Sequence, residues 1–237
     1  MKVCIVTPTY NESSNIARLL QSILSTTGDV EILVVDDNSP DGTGSIVREI
    51  TKKNVRVSLL SREKKDGLGK AYIAGFKEVL KNKDVDLIVM MDADFSHDPK
   101  YLPTMLKLAE EYDVVLGSRY VKGGGTVGWE LWRRTLSYFG NLYARVVAGL
   151  PVHDCTGGYN AIRVSKLRQV DLDNMNVSGY AFIMGLKFLL VRTGALFVEF
   201  PIIFHNRREG ESKMSAGSIA RYFNEGILAP WRMRFRK

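Results

Sequence analysis

The chain has 237 residues, 45% of them hydrophobic and 25% charged, with a formal net charge of +7. That is ample material for a core and excludes a disordered, low-hydrophobicity chain. Its two cysteines, Cys4 and Cys155, have no paired spacing, which excludes a disulfide framework and a cysteine-built zinc site and suits a reducing compartment.

KVCIVTP reads as a buried strand, with Cys4 as packing, and it starts so early that no signal peptide is expected. VEILVVDD, VRVSLLS, VDLIVMMD and YDVVLGS are four further short runs rich in Val, Ile and Leu, flanked by turn residues. Between the five runs, helical periodicity falls at roughly residues 14–25, 42–51, 69–81 and 99–110. Fully apolar strands alternating with helices predict an α/β fold with a mostly parallel twisted sheet flanked by helices. Such sheets bind ligands beyond the carboxyl ends of their strands. TPTYNE, DDNSPDGT, DADFSHD and GSRY all fall there. SPDGT is also a good turn, in which Asp41 or Thr43 can cap the next helix.

The texture changes after Tyr120. YVKGGGTVG reads as a mobile connector. WELWRRTLSYFGNLYARVVAG then spaces Trp132, Leu136, Phe139, Tyr143 and Val146 alternately by four and three, an amphipathic helix with Arg133, Arg134 and Arg145 on its flanks. A second such run carries Ile219, Phe223, Ile227, Trp231 and Phe235 among Arg232, Arg234, Arg236 and Lys237. Aromatic and cationic residues together suit helices lying in a membrane interface; ordinary packing on the sheet is the alternative. No apolar stretch approaches the ~18 to 20 residues that cross a bilayer. Residues 1–120 carry a net charge of −2 and residues 121–237 a net of +9, so the basic character belongs to the second half. That asymmetry points to a polyanion (nucleic acid, an acidic membrane or a phosphorylated substrate) or to a basic solvated face.

Two nucleotide-binding designs are absent. KKDGLGKA lacks the phosphate-loop spacing, with Ala71 where a hydroxyl is required, and no G-x-G-x-x-G follows the first strand. The carboxylates say more. Asp36 and Asp37 end one strand, and Asp92 and Asp94 end another. Crowded carboxylates need a cation or hydrogen-bond donors, and a pair of them with water and a diphosphate makes a site for magnesium or manganese. A lone D-x-D also reads as an ordinary turn. His97 and Asp98 read simply as the lead through Pro99 into a helix.

VTPTYNE, VVDDNSPDGT, GLGKA, DADFSHDP, GSRY, DCTGGYNAIR, SGYAF and VEFPIIFHNRREGESKMS follow one another in this order. With them the chain resembles the dolichyl-phosphate (polyprenyl-phosphate) mannose synthases, inverting GT2 glycosyltransferases of the GT-A fold, from Val3 to about Ser215. The resemblance implies one catalytic domain over 1–237: a nucleotide-sugar half (1–120), an acceptor half (121–215) and a basic amphipathic C-terminal helix (216–237). It implies transfer of mannose from GDP-mannose to a dolichyl or polyprenyl phosphate, with Mg2+ or Mn2+. Pro8, Tyr10 and Glu12 would line the nucleotide pocket, with Val34 and Asp36 at the base or ribose. Asp92, Ala93 and Asp94 would hold the ribose side, the diphosphate and the metal, Asp94 foremost, and Ser96 would complete the metal shell directly or through water. Arg119, Arg207 and Lys213 would embrace phosphates and, with Asp94, form the catalytic set; Arg133 and Ser137 would join Arg119 and Arg207 at the acceptor phosphate. Relatives usually follow SGYAF with a Gln and a Glu where Ile183 and Gly185 stand, which leaves the acceptor-side lining open.

No triad partner is evident for His97, His153 or His205. A lipid phosphate, with a second pKa of about 6 by analogy with phosphoserine, needs no base to attack the anomeric carbon. The expected setting is peripheral, on the cytoplasmic face of a membrane, with a small membrane-anchoring subunit as one route of attachment and no nucleic acid as partner. The rivals are a UDP-glucose-dependent polyprenyl-phosphate glucosyltransferase and, from another class, a non-catalytic basic nucleic-acid-binding module.

Overall fold

The computed structural model describes residues 1–175, 180–205 and 228–235. Val3–Thr9 (β1) is an interior strand, every residue of which is buried. β-Branched side chains tolerate that double-sided burial on a pleated surface. The chain then alternates as the apolar runs predict: Ile16–Thr26 (α1), Val30–Asp36 (β2), Thr43–Thr51 (α2), Val57–Ser61 (β3), Leu68–Lys81 (α3), Leu87–Met90 (β4), Leu102–Leu108 (α4) and Val114–Ser118 (β5). α1 buries Ile16, Leu19, Leu20 and Ile23, a single stripe of the helical repeat. At about 1.5–3 kcal/mol per buried aliphatic side chain, that stripe is what fastens the helix to the sheet. α3 lies close on β1 because Gly75 has no side chain; a Cβ there would stand 2.5 Å from Val6 Cγ1.

Seven strands form one sheet in the order β3-β2-β1-β4-β7-β5-β8, where Asn160–Arg163 is β7 and Phe197–Pro201 is β8. All pairs are parallel except those of β7, which runs antiparallel between β4 and β5. The expectation of a mostly parallel sheet therefore holds, with one reversed strand. That reversal matters for the site: the chain enters β7 at the edge where β1, β2, β4 and β5 end.

Two local expectations are corrected. The segment 99–110 is not one helix but a 3-10 turn, Pro99–Tyr101, followed by α4. Asp98 accepts the Lys100 amide and Pro99 opens the turn, so Asp98, read only as a lead into the helix, caps the turn. The glycine-rich segment is not merely a connector, since Gly125–Val127 (β6) pairs in parallel with Ile203–His205 (β9). Gly124 makes this possible, because a Cβ there would lie 2.5 Å from the Ser118 carbonyl oxygen.

Leu131–Ala148 (α5) is the expected amphipathic helix, turned outward. It buries Asn141, Ala144 and Ala148, and exposes Trp132, Leu136, Phe139 and Val146, with Trp132 60% accessible. Residues 228–235 are also helical, with Trp231 stacked on Phe235 at 5.0 Å, both exposed. Arg234 ties this helix to the last turn of α5, donating to the carbonyls of Val146 and Val147, each at 3.3 Å. Ile219, Phe223, Ile227, Arg236 and Lys237 lie outside the described residues. Val164–Leu167 (α6) and Tyr180–Arg192 (α7) complete the described elements. No helix among the described residues is long and apolar enough to cross a membrane.

Candidate active site

The loops after β1 and β2 are laced together. Asp36 Oδ1 accepts the hydroxyls of Thr9 (2.9 Å) and Ser39 (2.6 Å), and its Oδ2 accepts the Ser39 amide (3.0 Å). The Glu12 amide donates to Thr43 Oγ1, and Glu12 Oε2 accepts from Asn15. Asp41 takes the amide and hydroxyl of Thr43, although the N-cap position of α2 itself is Gly42. Those bonds outweigh the effect of burial and hold the Asp41 carboxyl down at about 2. Tyr10 lies beneath the Lys65 ammonium at 4.1 Å, and Pro8 and Val34 are buried in their strands. Asp37, assigned no role from sequence, pairs with Arg62 at 2.6 Å.

At the end of β4, Asp92 and Asp94 are treated differently. Asp94 is buried, its Oδ1 accepting the Ser96 amide at 3.0 Å. The Asp92 side chain is 31% accessible; its Oδ1 accepts the Tyr72 hydroxyl at 2.9 Å. Burial, then the Asp92 charge, raises the Tyr72 phenol well above its ordinary value, so it stays a donor. His97 is more than a lead into the next turn. It is buried, stacks on Tyr159 at 4.8 Å, and its Nδ1 accepts the Asp92 amide at 2.9 Å. Asn11, Asn38 and Phe95 are the only non-glycine residues with positive φ among those described, and all three sit in these edge loops. For the bulky Phe95, between Asp94 and Ser96, that conformation is a local strain the surrounding contacts must hold.

Arg119, at the end of β5, is bound tightly from the protein side. Its Nε and backbone amide donate to Asp154 Oδ2 (2.8 and 3.1 Å), and its Nη2 donates to Asp154 Oδ1 (2.7 Å) and Thr156 Oγ1 (2.9 Å). Asp154 is fully buried; burial opposes its ionisation, but the Arg119 charge and bonds win and hold it at about 2. Lys187, buried in α7, donates to the carbonyls of Asp154 (2.7 Å) and Gly157 (2.9 Å). Burial pulls Lys187 down to about 8, against the pull of Asp154. Below them Glu199 accepts the amides of His153 and Asp154; these bonds outweigh burial and keep it below the usual carboxylate range. Thus DCTGG is a fixed cradle for Arg119.

Beside that cradle, the Tyr120 hydroxyl meets Ser137 Oγ at 2.6 Å, and Asn141 bridges the Ser137 carbonyl to the Thr156 amide. These bonds lock the inner side of α5 against the site. Arg133 lies over the Trp129 ring, 4.1 Å from its centroid, and the Arg119 guanidinium is 5.5 Å from the same ring. Phe204 touches Trp129 edge-on and His97 in turn, so a chain of rings joins the two arginines to the Asp92 loop. Ile183 is buried in the core beside α7's other apolar residues. Arg207 and Lys213 lie outside the described residues.

The residues present fit a hard divalent cation. Asp92 and Asp94 offer carboxylate oxygens, and among the described residues no cluster of three His, Cys, Asp or Glu exists. A two-carboxylate set completed by diphosphate and water is how magnesium and manganese are held at nucleotide sites.

The strand order, the reversed β7 and the acidic edge are those of the GT-A class of glycosyltransferases, and solved structures agree. Glucosyl-3-phosphoglycerate synthase from Mycobacterium tuberculosis, in complex with Mn2+, UDP and phosphoglyceric acid, aligns with a TM-score of 0.69 at 20% identity, covering 98% of this chain and 78% of that one. Mannosyl-3-phosphoglycerate synthase from Rubrobacter xylanophilus gives 0.69 at 19%, covering 98% and 73%. The glycosyl transferase family 2 model matches residues 4–171, and the chain belongs to that family. Among curated relatives, an undecaprenyl-phosphate mannosyltransferase from Micrococcus luteus is 41% identical over 98% of this chain and 96% of its own. A polyprenol monophosphomannose synthase from Mycolicibacterium smegmatis is 38% identical, over 99% and 88%.

Proposed function

We propose that this glycosyltransferase moves mannose from GDP-mannose to a polyprenyl phosphate of the dolichyl or undecaprenyl type, inverting the anomeric carbon. The observation that carries this reading is the nearly end-to-end similarity to two enzymes named for mannosyl transfer to such lipids. The geometry supports it. The loops after β1 and β2, with Pro8, Tyr10, Glu12, Val34 and Asp36, form the nucleotide side. Asp94, Asp92 and Ser96 would hold Mg2+ or Mn2+, both of which accompany solved neighbours of the fold. When bound, such a cation neutralises the diphosphate leaving group.

The remaining roles fall to the basic half. Arg119, oriented by Asp154, would bind the phosphates, a role that the family resemblance also gives to Arg207 and Lys213. Arg133 and Ser137 hold the acceptor phosphate, which is largely dianionic at neutral pH and attacks without a base. His153 is paired with Glu199 and His97 with the Asp92 backbone, so neither is placed as a base. Displacement from an α-linked donor gives a β-mannosyl phosphate lipid. The outward apolar face of α5 and the helix at 228–235 would rest on the cytoplasmic face of the membrane, where the lipid phosphate emerges.

Purified protein is incubated with GDP-[3H]mannose and polyprenyl phosphate in detergent, and label entering the organic phase is counted. Transfer is expected in the wild type and only background in Asp94→Ala. Near-normal turnover by Asp94→Ala at limiting metal would contradict the assignment.

A further inference from the structure

Trp129 stands at an unusual junction. Two guanidiniums lie against its ring, Arg133 at 4.1 Å and Arg119 at 5.5 Å, while Phe204 packs on it edge-on at 5.7 Å. Like charges brought to one ring repel each other. Arg119 is neutralised by Asp154, but Arg133 has no carboxylate partner among the described residues. The junction therefore keeps one cationic charge uncompensated. It also keeps an unmet donor: Trp129 Nε1 is buried and has no hydrogen-bond partner among the described residues. An indole nitrogen can only donate, and a buried donor without an acceptor is costly, so the position calls for an oxygen. One uncompensated guanidinium and one unmet N–H on the same indole are the complement of an anionic oxygen.

We propose that Trp129 is a further acceptor-binding residue, whose ring aligns Arg119 and Arg133 and whose Nε1–H donates to an oxygen of the polyprenyl phosphate. This rests on the transfer reaction proposed above. The ring chain through Phe204 to His97, whose Nδ1 holds the Asp92 amide, joins this donor to the D-x-D loop. The ring and the N–H have separable effects, because phenylalanine keeps an aromatic face and loses the donor.

The test combines kinetics with a direct signal. Trp129→Phe should raise KM for a short-chain polyprenyl phosphate about tenfold or more, the loss of one bond to a charged group, while KM for GDP-mannose stays within about twofold. Trp129→Leu should lose more, since the arginines lose their platform. In 15N-indole-labelled wild-type protein, assigned through Trp132→Phe and Trp231→Phe, the Trp129 N–H resonance should move on adding the polyprenyl phosphate and not on adding GDP-mannose with Mg2+. A Trp129→Phe enzyme like the wild type, equal losses toward donor and acceptor, or an indole signal that ignores the lipid or answers GDP-mannose would each overturn the proposal. Absence of transfer by the wild type would instead refute the reaction. The indole titration still decides the role of Trp129 in that case.

Discussion

Replacing Asp154 with asparagine alters one oxygen at the point where the basic half meets the sheet. The carboxylate accepts four N–H groups: the Arg119 amide, Nε and Nη2, and the Gly157 amide. Asparagine keeps one acceptor oxygen and turns an NH2 toward the donors on the other side. Two bonds are lost, at least one of them charge-assisted, at about 1.5–3 kcal/mol for each such bond. The sum, about 3–6 kcal/mol, overlaps the about 3–5 kcal/mol that removing one partner from a buried ion pair usually costs. Urea unfolding at pH 7 reads that loss directly. Acid reads the same group independently. Asp154 is held at about 2, below its ordinary 3.8, so its contribution is complete above about pH 4 and disappears as pH falls through 2. The wild type should lose stability across that window, by about 2 kcal/mol from this group, and Asp154→Asn should show a flatter acid limb. A loss under about 1 kcal/mol at pH 7, with the acid limb unchanged, would refute the cradle argument.

Tyr72→Phe keeps the stacking on Phe182 and removes only the hydroxyl that holds Asp92 Oδ1. It should cost about 1 kcal/mol of stability and raise the metal concentration needed for half-maximal transfer several-fold; an unchanged metal requirement would count against a positioning role. Gly75→Ala sets a Cβ 2.5 Å from Val6 Cγ1 and 3.0 Å from Val35 Cγ2, so α3 must retreat from β1. Overpacking of about 1–3 kcal/mol outweighs a helix-propensity gain of at most about 1, and thermal denaturation should fall by a few degrees rather than rise.

Strands β1 to β5 were legible because buried parallel strands are written as unbroken apolar runs, and α1, α3 and α5 because their stripes keep the helical period. β7 was not legible. NAIR is four residues long, and its reversed direction depends on the neighbours it finds, not on its own composition. β6 was hidden for the opposite reason: glycine-rich sequence signals freedom, whereas here missing side chains admit a close approach of backbones. At the site, Asp92, Asp94 and Arg119 stood out as charges at strand ends. Asp154 and Lys187, which position Arg119, did not, since their meaning comes from partners 35 and 33 residues distant. Lys187 is also disguised by the apolar helix that carries it, and Trp129 by resembling its more exposed neighbour Trp132. His97 was underrated from sequence, because nothing local reveals that its ring accepts the amide of Asp92.

The identity of donor and acceptor is tested most directly by one donor panel. GDP-[14C]mannose and UDP-[14C]glucose are offered in parallel to the purified protein with polyprenyl phosphate and Mg2+ or Mn2+. A labelled mannosyl lipid is expected from the first and no lipid product from the second. Glucosyl lipid from UDP-glucose with none from GDP-mannose would contradict it.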